Sequence, residues 1–325
     1  MIRSWRQYFA ISKNSFIVTL SDPVFLIMIL LGLVSMAFFA TLPSYGGGAM
    51  RLVRDQSLAL IFLTGCAATA LGIVSVFVRD LQQGAMSVLM SRPVSSLSLI
   101  LGKWTGLIAA IFVYHATLTI ACLWMTRILR DLGSSRIDSA GLFLYFASIL
   151  VALGLMGLKH YFMGGWYVWQ ANIAILVIFS LSFVLNCFTA KEGWGSDVNW
   201  QCAMGSVFIF FSLILFSAVL FPFAIKGQTA FVFTAALIIF AVGMVSNYLV
   251  LSLNMPETIS QCLKAVLPNW QIYWVSDKLA ETHDLHAGGY MRYLGHTALH
   301  AVLYTIAALS VTTYLFNRRE IYGAE

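Results

Sequence analysis

Charge is what this chain has least of. Only 10% of its 325 residues are Asp, Glu, Lys or Arg, against about 25% in soluble domains, which excludes an ordinary globular protein in water. Hydrophobic residues make up 60% of the chain and the mean hydropathy is +0.86. Alternation of apolar and polar positions is also missing. The apolar runs continue unbroken for about 20 residues, the length that crosses a bilayer as a helix rather than as a barrel strand. Carboxylates are missing from the interior of every run, with Asp55 and Asp80 only bracketing one of them. Ion-coupled carriers keep costly intramembrane acids for ion handling, so this absence argues against that class and leaves a passive facilitator open. A GxxxxGK[ST] phosphate loop is missing too, because Gly102-Lys103 is followed by Trp104 and lacks the upstream glycine. The chain by itself is therefore not expected to be an ATPase or any other enzyme, and it is expected to hold no cofactor.

Proline and cysteine are sparse. The six prolines (Pro23, Pro43, Pro93, Pro222, Pro256, Pro268) all fall at or outside the ends of apolar runs, where a missing N–H does least harm. The five cysteines show no metal-ligand spacing and read as small buried apolar residues, with a Cys202–Cys262 bridge as the alternative.

What is present reads as an all-α, polytopic helical membrane protein of about eight transmembrane helices, forming a single domain over 1–325. The spans fall near 24–42, 56–78, 99–126, 140–158, 172–187, 203–223, 229–253 and 293–316. The fourth and fifth can equally be one interrupted or re-entrant unit, since 172–187 is short for a crossing. Before the first span, Ile2, Trp5, Phe9 and Phe16 recur at near-helical spacing, with Arg3, Arg6, Gln7, Lys13 and Asn14 elsewhere. That pattern predicts an amphipathic helix over 1–22 lying in the membrane interface. Asp22-Pro23 supplies an N-cap and a proline at the first helical position. Because the first apolar run begins only after Asp22, no cleaved leader is expected. The nine tryptophans are predicted at span ends, in aromatic belts. The one long loop, 254–292, is expected on the external side, with Leu267-Pro268-Asn269-Trp270, Tyr273 and Trp274 dipping into the interface.

The formal net charge is +6, but the basic residues punctuate the spans instead of clustering, so no nucleic-acid partner is expected. Eight spans put both termini on one side. Assigning that side to the cytoplasm collects ten of the nineteen Lys and Arg residues and leaves nine outside, so the positive-inside rule does not orient the protein.

The interval 79–98 does carry an orientation signal. Arg79-Asp80 leaves the apolar run, Gly84 follows, and Met86, Leu89 and Met90 share one helical face before Arg92-Pro93 stops the turn. Ser95-Ser96 can cap the next span. A short amphipathic helix held between two spans is a docking surface for something outside the bilayer.

The polar residues within spans are His115, Asn186, Asn247, His296 and His300, read as hydrogen-bond partners between packed helices. Gly102-Lys103-Trp104-Thr105-Gly106 matches GxxxG and is read as a close helix contact. His296 and His300 lie four residues apart on one helical face, and Glu281, His283, Asp284 and His286 share the long loop. An i, i+4 histidine pair can bind a metal or flank a haem. The sharpest alternative is accordingly a membrane-embedded metal or haem redox protein using His283, His286, His296 and His300. HExxH is absent and no acid completes the pair, so no metal site is assigned.

Three groups of residues carry a family resemblance: Gly84 after the charged exit, Leu89-Met90-Ser91-Arg92-Pro93-Val94-Ser95, and Leu101-Gly102-Lys103 opening the next span. Together they resemble the cytoplasmic loop of bacterial type-two ATP-binding-cassette exporter permeases, in particular the branch tied to multicopper-enzyme maturation. Ser21-Asp22-Pro23 at the start, Leu267-Pro268 in the long loop and Leu315-Phe316-Asn317-Arg318-Arg319-Glu320 at the end are similar to the same family. The likeness covers about 1–106 and 199–322. The usual acidic cluster is reduced here to Asp80, and the family norm is six spans, so 140–187 would be an insertion.

The resemblance implies a permease subunit of the bacterial cytoplasmic (inner) membrane, with both termini cytoplasmic. It would export an unidentified substrate, with ATP bound by separate ATPase subunits. Two copies, or one copy and a paralogue, would form the pathway in the bilayer. Arg79, Asp80, Gly84, Met86, Leu89, Met90, Arg92 and Pro93 would form the coupling helix that meets the ATPase. A non-transporting membrane assembly scaffold is the remaining alternative.

Overall fold

A computed structural model describes residues 2–41, 49–84, 95–130, 138–189, 193–195, 197–252, 258, 267–275 and 287–322. Among these the chain is all-α, with no strand. The helices are α1 (Ile2–Leu20), α2 (Pro23–Thr41), α3, α4 (Ser96–Arg130), α5 (Ser139–Met163), α6 (Tyr167–Cys187), α7 (Gln201–Ala224), α8 (Thr229–Ser252) and α9 (Ala287–Tyr322). Helix α3 runs over Ala49–Ile73 and continues through a π-helical turn, Val74–Val78, into a last α-turn, Arg79–Gln82. Eight of these helices, α2 to α9, are long and apolar enough to cross a membrane, so the chain is a multi-pass membrane protein.

The ends of the helices follow local chemistry. Asp22 Oδ1 accepts from the Val24 N–H at 3.1 Å, capping α2 as Asp22-Pro23 predicts. Ser95 Oγ accepts from the Ser98 N–H at 3.2 Å and caps α4. Asp138 accepts from Gly141 N at 2.9 Å and starts α5. Helix α5 stops at Gly164 and Gly165, with φ of +68° and +100°, backbone angles that glycine adopts without a steric penalty. Helix α6 then begins at Tyr167, five residues before the sequence places it. The 140–187 region is therefore two helices of 25 and 21 residues packed as a hairpin, each long and apolar enough to cross a membrane.

The chain divides into two compact units. Unit 1 comprises 1–16, 66–108 and 208–325. Its core gathers around Phe77, which is fully buried, with ring centroids 5.2 Å from Phe221 and 6.0 Å from Phe316. Trp270, in the 3-10 turn Trp270–Tyr273, inserts against α8. Its Nε1 donates to the Phe240 carbonyl at 3.1 Å, and a Cβ on Gly243 would lie 2.1 Å from that nitrogen.

Unit 2 comprises 17–65 and 109–207. An aromatic cluster fills it: Trp124 lies 5.3 Å from Tyr145 and 5.0 Å from Phe179, and Tyr145 lies 4.9 Å from Phe179. The Tyr145 hydroxyl donates to the Leu33 carbonyl at 2.8 Å, so burial leaves it satisfied.

Two tryptophans depart from the expected belts. Trp124 is wholly buried six residues inside α4, and Trp270 is 3% exposed. Helix α4 extends to Arg130, past the sequence-based end of that span, which moves Trp124 into the core. Trp270 has a glycine to pack on and a carbonyl for its N–H, so its polar handle needs no water.

Candidate functional site

The best-built polar arrangement in unit 1 lies where α3 ends and α4 begins, at the root of the 85–94 segment. A single basic residue organises it. Lys103 sits in the second turn of α4 and is 3% exposed. A buried ammonium needs hydrogen-bond acceptors and an opposite charge. Asp80 supplies the charge, through a hydrogen-bonded ion pair between Lys103 Nζ and Asp80 Oδ2. The second acceptor is the Val76 carbonyl, 2.6 Å from Nζ. Val76 lies in the π-helical turn, where the Arg79 N–H bonds the Val74 carbonyl five residues back. A π-turn widens the helix by one residue and is common at functional positions. Val76 and Asp80, four residues apart on the same face, both reach the one ammonium.

Two further ties fix this corner. Gln82 Nε2 donates to the Gly227 carbonyl at 2.9 Å, joining the end of α3 to the turn between α7 and α8. Trp104 Nε1 donates to Ser217 Oγ on α7 at 2.9 Å. Gly84 follows at φ +70°, a left-handed angle that turns the chain away from the helix axis.

Helix α1 packs on the opposite side of the same turns of α4. A Cβ on Gly106 would lie 2.3 Å from the Ser12 carbonyl oxygen, and one on Gly102 would lie 2.9 Å from the Ile11 side chain. The GxxxG pattern is thus the seat of α1. Tyr8 donates to Thr105 Oγ1 at 3.0 Å, and Thr105 donates to Ser12 Oγ at 3.2 Å. A groove of about 320 Å³ lined by Trp5, Tyr8, Leu97, Ser98, Leu101 and Thr105 runs along this contact. Tyr8, Ile11, Ser12 and Ser15 face α4, while Trp5 and Phe9 are about 60% exposed. Trp5 and Phe9 therefore point outward, while Tyr8, Ile11, Ser12 and Ser15 hold α1 to α4.

Of the sequence-based coupling residues, Asp80 is in the clamp, Arg79 is exposed beside it, and Gly84 is the bend that follows. Met86, Leu89, Met90, Arg92 and Pro93 lie outside the described residues. Lys103 is the residue that sequence reasoning undervalued. Its signal was a lysine inside a span opposite the one acid, Asp80, at the same helix ends.

The histidines do not assemble into a site among the described residues, where no group of three or more metal-ligating side chains occurs. His300 Nδ1 is hydrogen-bonded to the Tyr273 hydroxyl at 2.8 Å, and burial pushes the Tyr273 phenol well above its ordinary range. His296 is exposed, and Glu281, His283, Asp284 and His286 lie outside the described residues. Asn247 donates to Gln271 Oε1 at 2.9 Å, a packing bond of the expected kind. Of the bridge candidates, Cys202 is a free, buried thiol, and Cys262 lies outside the described residues.

Comparison of the chain with family models, with curated proteins and with solved structures found no match.

Proposed function

We propose that this chain is the membrane-spanning permease subunit of an ATP-binding-cassette exporter of a bacterial cytoplasmic membrane. In this reading both termini and the 85–94 segment face the cytoplasm. Separate ATPase subunits bind the coupling segment, and a second permease chain, identical or paralogous, completes the pathway. The observation that carries the reading is the clamp at the root of that segment. Lys103 ties its two flanking helices through Asp80 and Val76 O, and Gln82 adds the α7–α8 turn. A push on a loop anchored this firmly is passed to helices; at a loosely hung loop it would be lost as local bending. Rigid-body rocking of packed helices then changes access across the bilayer. Lipid-facing aromatics on α1, seated on the same turns of α4, hold the lever at the membrane surface.

The test is affinity purification of the tagged full chain from its native membranes. A nucleotide-binding ATPase subunit co-purifies with the unaltered chain and is lost with Met86→Asp and Gly84→Pro, both of which still insert. Absence of any such subunit from the unaltered chain, or its full retention by both variants, overturns the proposal.

A further inference from the structure

Unit 2 buries a guanidinium for which the described residues supply too few acceptors. Arg127, in the last turn of α4, is 7% exposed. Its Nη2 donates to Thr189 Oγ1 just past the end of α6, at 2.8 Å. Its Nε and Nη1 are buried without a hydrogen-bond partner, and no carboxylate of a described residue pairs with it. Arg54, also buried in this unit, is provided for: it bonds Asp55 Oδ1 and Gln201 Oε1, each at 3.0 Å. Asp55 also faces Arg51 at 3.7 Å, so that carboxylate is already shared between two arginines.

Helix C-termini offset part of the Arg127 charge, since it lies at the ends of both α4 and α6. They do not provide acceptors for its two bare nitrogens. Thr189 has turned its own proton to the Asn186 carbonyl, at 2.8 Å, which leaves its oxygen to accept from Arg127. The arrangement thus orients Arg127 from one side and leaves Nε and Nη1 without a protein acceptor among the described residues. An unpaired buried charge is among the most costly features a fold can carry. Guanidinium nitrogens aimed in fixed directions suit an oxyanion that presents two oxygens at once.

We propose that Arg127 binds an oxyanion, a phosphate group, at the common end of α4 and α6. The phosphate comes either from an acidic lipid headgroup or from solution. The first source fits a chain whose helices sit in lipid, where acidic headgroups collect at basic residues near helix ends. This site is independent of the ATPase partner proposed above.

The test uses the full chain, delipidated in a neutral detergent and followed by thermal unfolding. One arm adds mixed micelles containing phosphatidylglycerol, a second adds inorganic phosphate, and a third adds neutral diacylglycerol. The unfolding temperature rises saturably with phosphatidylglycerol alone for a lipid site, or with inorganic phosphate as well for a soluble one. Arg127→Gln abolishes the rise, while Arg51→Gln, an exposed arginine of α3, keeps it. Should Arg127→Gln not fold, Arg127→Lys decides, because it keeps the charge but not the guanidinium geometry; its half-saturation point shifts upward about tenfold. No rise in either phosphate arm, an equal rise with diacylglycerol, or an unchanged titration in the Arg127 variant overturns the site and leaves buried water as the partner of Arg127.

Discussion

Lys103 and Asp80 are not equal partners in their ion pair. The lysine side chain is 3% exposed and the aspartate 28%, so removing one or the other leaves different remnants. Asp80→Asn can keep an amide oxygen as acceptor but leaves the buried Lys103 ammonium with no opposing charge. Breaking a buried pair in this way costs about 3–5 kcal/mol. Lys103→Met leaves a carboxylate that reaches water, and methionine fills the volume, so its cost is about 1–2 kcal/mol by comparison with other volume-conserving changes. Thermal unfolding of the two variants in detergent should rank Asp80→Asn as the more damaging. The reverse order would mean that the clamp is held by the aspartate. A similar asymmetry explains Trp124, whose burial reflects the length of α4: a belt residue and a core residue are the same in sequence, and the end of the helix decides between them.

At the scale of elements, the contact of α1 with α4 turns on two missing side chains. The Ser12 carbonyl approaches Gly106 so closely that a methyl group would sit 2.3 Å from it, and backbone cannot step aside as a flexible side chain can. Gly106→Ala should therefore lift α1 from α4, at about 1–3 kcal/mol for the overpacking. Limited proteolysis of the N-terminal segment should then accelerate. Gly154 in α5 is the control. Nothing lies within 4 Å of its absent Cβ, so Gly154→Ala should be neutral or stabilise by up to about 1 kcal/mol through helix propensity. Equal proteolysis of the two variants would show that α1 is held from elsewhere. The α5–α6 hairpin carries a second lesson at this scale. It is no appendage, because Tyr145 and Phe179 form the aromatic core of unit 2 together with Trp124.

For the whole molecule, the number of crossings fixes which loops share a side. With α2 to α9 all spanning, the connection after α3 and the connection after α8 are expected on opposite faces of the membrane. The four described cysteines are buried, so a Cys262→Ser background gives little reaction with an impermeant maleimide. In that background, Ser91→Cys should label only from the inside of sealed vesicles whose exterior labels His283→Cys, and the converse in inverted vesicles. Labelling of both positions from one face would refute eight crossings. Labelling of Ser91→Cys from the outside of intact cells would refute the cytoplasmic coupling segment.

Composition and spacing alone determined the class of this protein, the number of its candidate spans and about half of their ends. Long apolar runs admit only helices across a bilayer, and Asp22-Pro23 or Ser95 cap locally, from atoms two or three residues away. The glycines at 102 and 106 were legible as a contact, but not what they contact. Only the tertiary structure decided that α1 fills that seat, that Val76 and Asp80 meet one ammonium from α4, and that Arg127 turns inward to Thr189. Each of these depends on residues distant in the chain, to which hydrophobic periodicity is blind. A charged residue near the end of a span reads the same in sequence whether it reaches water or turns inward. Packing settles which, since the energy of a buried charge is set by the neighbours that surround it.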